Sequence, residues 1–137
     1  MLKKKRFLLI MCAAIFLLSG SVVAFGYGDP YYFILRGTDK EDTVPHAKND
    51  NEQMAYVSTV STSGFVQGKD VFGCRVRRSS DEAAVTNYRT TAWFNGKLRM
   101  PYDQGITGVK GTNYFMRGQI DSTSASKAIN ISGYWLP

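Results

Sequence analysis

Histidine and cysteine are almost missing from this chain: His46 is the single histidine, and the two cysteines are Cys12 and Cys74. So few nitrogen and sulfur donors, far apart in sequence, make a poor ligand set for a transition metal. Catalysis by a nucleophile and base has little to draw on, because no serine sits in a Gly-x-Ser-x-Gly elbow and His46 lies in a polar stretch. Only four prolines interrupt the chain, and beyond the N-terminal region no run is long and apolar enough to span a bilayer. With 137 residues, 44% of them hydrophobic and 20% charged, the composition excludes a disordered or low-complexity chain and leaves no room for two large domains.

What the N-terminus does have is the three-part order of a secretory leader. Lys3, Lys4, Lys5 and Arg6 precede an uninterrupted apolar run, Phe7 to Leu18, and then small residues. Twelve apolar residues are too few for a spanning helix of about 17–25 residues, so residues 1–24 are expected to be a cleaved signal peptide rather than a transmembrane anchor. Cleavage is expected after Ala24, with Gly26 the alternative. Cys12 would leave with the leader, so the exported chain could hold no internal disulfide.

Export also changes the charge balance. The formal net charge of +6 includes the four leader cations, so the remaining chain carries thirteen basic residues against eleven acidic ones, a net of +2. That removes most support for a nucleic-acid partner. The remaining charge is segregated: Tyr27 to Gln53 holds three basic and six acidic residues, and Met54 to Pro137 holds ten and five. Residues 25–53 are therefore expected to form an N-terminal strand, Tyr31 to Leu35, followed by a long exposed acidic loop, with 54–137 as the body of one domain.

From Met54 onward the apolar residues recur with period two in short segments broken by Gly, Asn, Asp and Ser, which is the pattern of half-buried strands. Phe72, Cys74 and Val76 share one face of a predicted strand, with Val71, Gly73, Arg75 and Arg77 on the other. Tyr114, Met116 and Ile120 oppose Phe115 and Arg117, while Ile129, Ile131 and Trp135 oppose Asn130, Ser132 and Tyr134. Asn95-Gly96 between Asn87–Phe94 and Lys97–Met100 predicts a tight hairpin. About seven strands and no amphipathic helix after the leader predict an all-β fold, an antiparallel β-sandwich, with a small barrel as the alternative.

The segment Gly111 to Gly118, a Ser-rich turn, and the ending Ile131-Ser132-Gly133-Tyr134-Trp135 resemble the C-terminal half of a family of small secreted Gram-positive proteins known only as a domain of unknown function. That resemblance implies export and an all-β domain, and carries over no site. A second similarity, to secreted bacteriocins of the lactococcin 972 type, implies an antimicrobial role, although their repeated Gly and Trp start is not seen in this chain.

Several residue groups could carry function. Asp39, Glu41, Asp42, Asp50 and Glu52 cluster in sequence as calcium ligands do, but without the glycine and terminal glutamate of an EF-hand, and no cofactor or metal is expected. Asp70, Asp81, Glu82, Asp103 and Asp121 lie mostly in apparent turns, where acidic residues commonly serve the backbone. Cys74, between Phe72 and Val76, reads as a buried small hydrophobe. Trp93 and Trp135 read as core or sheet-corner residues, while Tyr27, Tyr31, Tyr32, Tyr102 and Tyr134 exceed what a small core needs. The densest basic group is Arg75, Arg77 and Arg78, which Arg89 and Arg117 could join from neighbouring strands. Such guanidinium arrays suit anionic wall polymer or lipid head groups, so the expected role is non-catalytic binding at the cell envelope, with a bacteriocin-like role as the alternative.

Overall fold

The computed structural model describes residues 28–94, 97–103, 108–121 and 127–137; the expected leader, the Asn95-Gly96 turn and most of the Ser-rich turn lie outside them. Among the described residues nine strands follow one another: β1 (Asp29–Leu35), β2 (Lys40–Asp42), β3 (His46–Ala47), β4 (Met54–Ser63), β5 (Phe72–Arg78), β6 (Arg89–Thr91), β7 (Lys97–Pro101), β8 (Asn113–Ile120) and β9 (Ile129–Leu136). They form two antiparallel sheets, one ordered β1-β9-β4-β7 and the other β2-β8-β5-β6, with β3 beside β2 on the same flank of β8. The fold is all-β, as the alternation predicts, and open rather than a closed barrel. No helix among the described residues is long and apolar enough to cross a membrane.

Period-two burial makes the layers. Phe72, Cys74 and Val76 of β5 face inward, as do Tyr114, Met116 and Ile120 of β8. They meet Tyr31, Phe33 and Leu35 of β1, Ala55 and Val57 of β4, and Ile129, Ile131 and Trp135 of β9. Each large apolar side chain removed from water in this way contributes roughly 1.5–3 kcal/mol. Phe33 and Phe72 meet between the sheets with ring centroids 6.4 Å apart. Gly118 makes room for that contact, since a Cβ there would sit 2.5 Å from the Phe33 ring. Cys74 is fully buried, with Sγ 3.7 Å from Met100 Sδ.

Two expectations are corrected. Residues 38–53 are not a simple exposed loop: β2 and β3 within them pair along β8, and Thr43 and Lys48 are buried. The reason is backbone demand. The flank of β8 away from β5 needs partners, and Thr43 answers twice, its N–H donating to Met116 O and its Oγ1 accepting from Met116 N–H, both at 2.9 Å. Lys48 Nζ is covered but satisfied, donating to Pro137 O at 2.7 Å and lying 2.8 Å from Asp50 Oδ1. The predicted hairpin is the second correction. β6 pairs with β5 and β7 with β4, so the strands flanking Asn95-Gly96 belong to opposite sheets. Periodicity assigns a strand's faces but not its neighbour.

Candidate anion-binding face

The outer face of the five-stranded sheet is built from β2, β5 and β8. Because Phe72, Cys74 and Val76 point inward, Gly73, Arg75 and Arg77 point outward, and Arg117 lies directly opposite Arg75 in the β5–β8 register. Like charges directly opposite one another oppose sheet formation. The fold compensates one of the two. Asp42, opposite Arg117 on the other flank, accepts from Arg117 Nε and Nη2 at 2.6 Å each, and Glu82 Oε2 lies 3.6 Å from Nη2. These carboxylates push the Arg117 guanidinium pKa above its ordinary value, the Asp42 hydrogen bonds most strongly.

Arg75 has no carboxylate within ion-pair distance among the described residues. It lies over the Tyr88 ring, 5.7 Å from its centroid, a cation–π contact that positions the guanidinium without neutralising it. Tyr88 reaches there because residue 73 is glycine: a Cβ at Gly73 would fall 1.7 Å from Tyr88 Oη. The phenol then donates to Asp121 Oδ2 at 2.7 Å, and burial, followed by that bond, holds its pKa well above the usual range. Arg77 Nη1 donates to the Glu82 carbonyl at 2.6 Å, and Glu82 adopts a φ of 55°, a left-handed conformation uncommon outside glycine. Nε of both Arg75 and Arg77 is buried without an acceptor.

These side chains surround a shallow depression of about 250 Å³ lined by Lys40, Arg75, Arg77, Tyr88, Arg117 and Gln119. Its lining holds four cations and no acidic side chain. A second hollow of about 210 Å³, at the seam between the sheets, is lined mainly by Val57, Phe72, Trp93, Phe94 and Leu98, with Thr59, Thr91 and Lys97.

Of the residues expected at an anionic-ligand site, the structure brings Arg75, Arg77 and Arg117 together and separates the other two. Arg78 points to the other face and is held by Asp81, which accepts from Nε at 3.0 Å and Nη2 at 2.6 Å. Arg89 is in register with Cys74, on the face opposite to Arg75. Sequence reasoning missed Lys40 and Tyr88. Lys40 was hidden in a segment read as loop, whereas the Gly73 gap on a strand's wet face was a signal that an aromatic side chain lies across it.

The remaining candidates have other partners. His46 Nδ1 lies 3.1 Å from Asp29 Oδ1 with its ring edge-on to Trp135, while Cys74 is sealed in the core, where burial pushes its thiol pKa up to about 12. These two residues do not form a nucleophile and base. Asp70 accepts from Val66 N–H at 2.7 Å. Glu41 accepts from Ile34 N–H, and Asp50 from Lys48 and Glu52 N–H. Among the described residues no three His, Cys, Asp or Glu side chains converge as a metal site would need. Trp135 is core, as expected, but Trp93 is exposed, its ring lying against Gly68.

The chain matches no protein-family model, no curated protein and no solved structure.

Proposed function

We propose that this is an exported, non-catalytic binding protein that holds phosphate groups of the cell envelope on the outer face of its five-stranded sheet. One observation carries the reading: Lys40, Arg75, Arg77 and Arg117 line one depression with no acidic side chain in the lining, and Asp42 occupies only Arg117. Uncompensated like charge on a sheet costs stability, and a polyanion laid across it offsets that cost. Arginine forks suit tetrahedral phosphate oxygens, and the depression is open and shallow, which fits a group carried on a polymer or a surface. Wall teichoic acid and anionic lipid head groups share this phosphate chemistry.

Co-sedimentation separates the two sources. Purified cell walls form one arm and phosphatidylglycerol vesicles the other, each at low and high salt. The protein is expected to sediment at low salt with one or both and be released at high salt, whereas R75Q/R77Q loses retention and R78Q, outside the depression, keeps it. Absence of retention in both arms, or retention unchanged in R75Q/R77Q, overturns the reading.

A further inference from the structure

The outer face of the four-stranded sheet carries a different pattern. In its register Pro30, Tyr134, Ser58 and Lys97 lie side by side across β1, β9, β4 and β7. Tyr32 is displaced by one outward-facing position on β1, and Tyr56 by one such position the other way on β4, opposite Arg99 of β7. Tyr32, Tyr134 and Tyr56 therefore form a diagonal across three neighbouring strands, with consecutive members about 7–8 Å apart between Cα atoms. Tyr32 is 59% exposed and Tyr134 36%, so the fold leaves large aromatic surface in water.

The surroundings are small and polar apart from Ile34, which is exposed beside Tyr32 at one end of the face. Ser58 and Ser132 are half-buried beside the rings on this face, Asn130 lies one outward position beyond Ser132, and Ser58 Oγ donates to Tyr134 O at 3.2 Å. Tyr56 is fixed from two sides, its hydroxyl donating to Glu52 Oε1 and Lys97 Nζ lying 5.8 Å from its ring centroid. Lys97 and Arg99 are exposed at the β7 end, and Arg99 has no carboxylate within ion-pair distance among the described residues.

We propose that this face binds an acidic glycan strand, with the rings of Tyr32, Tyr134 and Tyr56 stacked on successive sugars and Lys97 and Arg99 meeting their carboxylates. Flat rings present a negative π face to the polarised C–H bonds of a pyranose ring, and the serine hydroxyls beside them match its hydroxyls. The cations at one end complement the acidic groups.

Hyaluronan oligosaccharides, which carry carboxylates and no phosphate, serve as the probe in calorimetric titration of the purified protein, with neutral chitin oligosaccharides of equal length for comparison. Hyaluronan is expected to bind more tightly than chitin oligosaccharide. Y32A/Y134A is expected to weaken it by about tenfold while Y32F/Y134F stays within about twofold, because the ring and not the hydroxyl stacks. K97Q/R99Q is expected to abolish the preference for the acidic glycan. R75Q/R77Q is expected to leave hyaluronan affinity unchanged, which separates this surface from the phosphate-binding face. Unchanged thermal unfolding verifies that each variant is folded. No hyaluronan binding by the parent protein, undiminished binding by folded Y32A/Y134A, or loss confined to R75Q/R77Q overturns the proposal.

Discussion

On the outside of the five-stranded sheet two arginines face each other across the β5–β8 ladder, and on the outside of the four-stranded sheet Tyr134 faces Ser58 across the β9–β4 ladder. Both positions are central in their sheets and both point to solvent. An arginine pair there works against the sheet unless something compensates it, whereas a tyrosine beside a serine is neutral to strand pairing. The cationic face accordingly needs supporting devices: the Asp42 fork on Arg117, the left-handed Glu82 carbonyl on Arg77, and the Gly73 gap that seats Tyr88 under Arg75. The tyrosine face has no like-charge pair to offset, and its polar contacts, Glu52 and Lys97 on Tyr56, orient a ring instead of compensating a charge. A site that requires compensation is coupled to fold stability, and a site made of exposed rings is not.

Two glycines test that coupling most strongly. Gly133 of β9 and Gly73 of β5 each leave no room for a Cβ, but the obstacles differ: at Gly133 it is the Ser58 carbonyl at 1.9 Å, which is backbone of the paired strand, and at Gly73 it is the end of the Tyr88 side chain. Backbone cannot rotate away. Gly133→Ala is expected to cost at least about 3 kcal/mol in urea denaturation, whereas Gly73→Ala is expected to cost about 1–2 kcal/mol because Tyr88 can swing out. The second variant also removes the aromatic support of Arg75, so wall or vesicle retention should fall with it. Equal destabilisation by the two would show that Tyr88 is as immovable as the ladder.

A smaller contrast separates the arginines themselves. Arg117→Met releases Asp42 and removes a bidentate pair that is partly exposed, and is expected to lower stability by about 1 kcal/mol. Arg75→Met removes a cation with no ionic partner among the described residues and is expected to leave stability within about 0.5 kcal/mol or raise it slightly, while retention on anionic surfaces drops. If Arg75→Met proves the more destabilising, its cation–π contact with Tyr88 matters more than its repulsion of Arg117.

These contrasts also mark what the sequence made legible. The faces were readable, because a strand's side chains alternate whatever its partners are: Phe72, Cys74 and Val76 went inward and Arg75 and Arg77 outward. The partners were not. Arg89 looked like a member of the cationic face until the β5–β6 register placed it beside Cys74, and Asn95-Gly96 suggested a hairpin between strands that lie in opposite sheets. β2 was invisible for a related reason. Lys-Glu-Asp has no apolar alternation, and it is held as a strand by the backbone of β8 and by Asp42 on Arg117. The diagonal of Tyr32, Tyr134 and Tyr56 likewise depends on the register of three strands distant in sequence.

Cys74 connects both faces to the core behind them. Its thiol pKa, pushed up to about 12 by burial, and those of Tyr31, raised to about 12, and Tyr102, raised further, mean that the folded protein holds protons the unfolded chain gives up near pH 9–10. Stability is therefore fully present below about pH 8.5 and falls as pH rises through those folded values, giving an alkaline limb in a plot of denaturation midpoint against pH. At neutral pH the native thiol is expected to be inert to a disulfide reagent and to react at the rate of unfolding, so Gly133→Ala should accelerate labelling far more than Gly73→Ala does. Labelling of the native parent protein within seconds would contradict the sealed core.

The smallest effect expected concerns Arg78, the basic residue that its strand turns away from the cationic face. Asp81 is held down to about 2 by the Arg78 guanidinium first and by the Ala83 N–H second. A carboxylate with a depressed folded pKa contributes stability that is present above its ordinary value near 3.9 and lost as pH falls through about 2. The pair lies at the solvent surface and closes a short turn between β5 and the segment leading to β6, so little energy is involved at neutral pH. Asp81→Asn is expected to flatten the stability profile between pH 4 and 2 while leaving surface retention at pH 7 unchanged. A marked loss of retention in this variant would mean that the turn, through Glu82 and its carbonyl on Arg77, sets the geometry of the cationic face, and would make the Arg78–Asp81 pair a positioning element of that site.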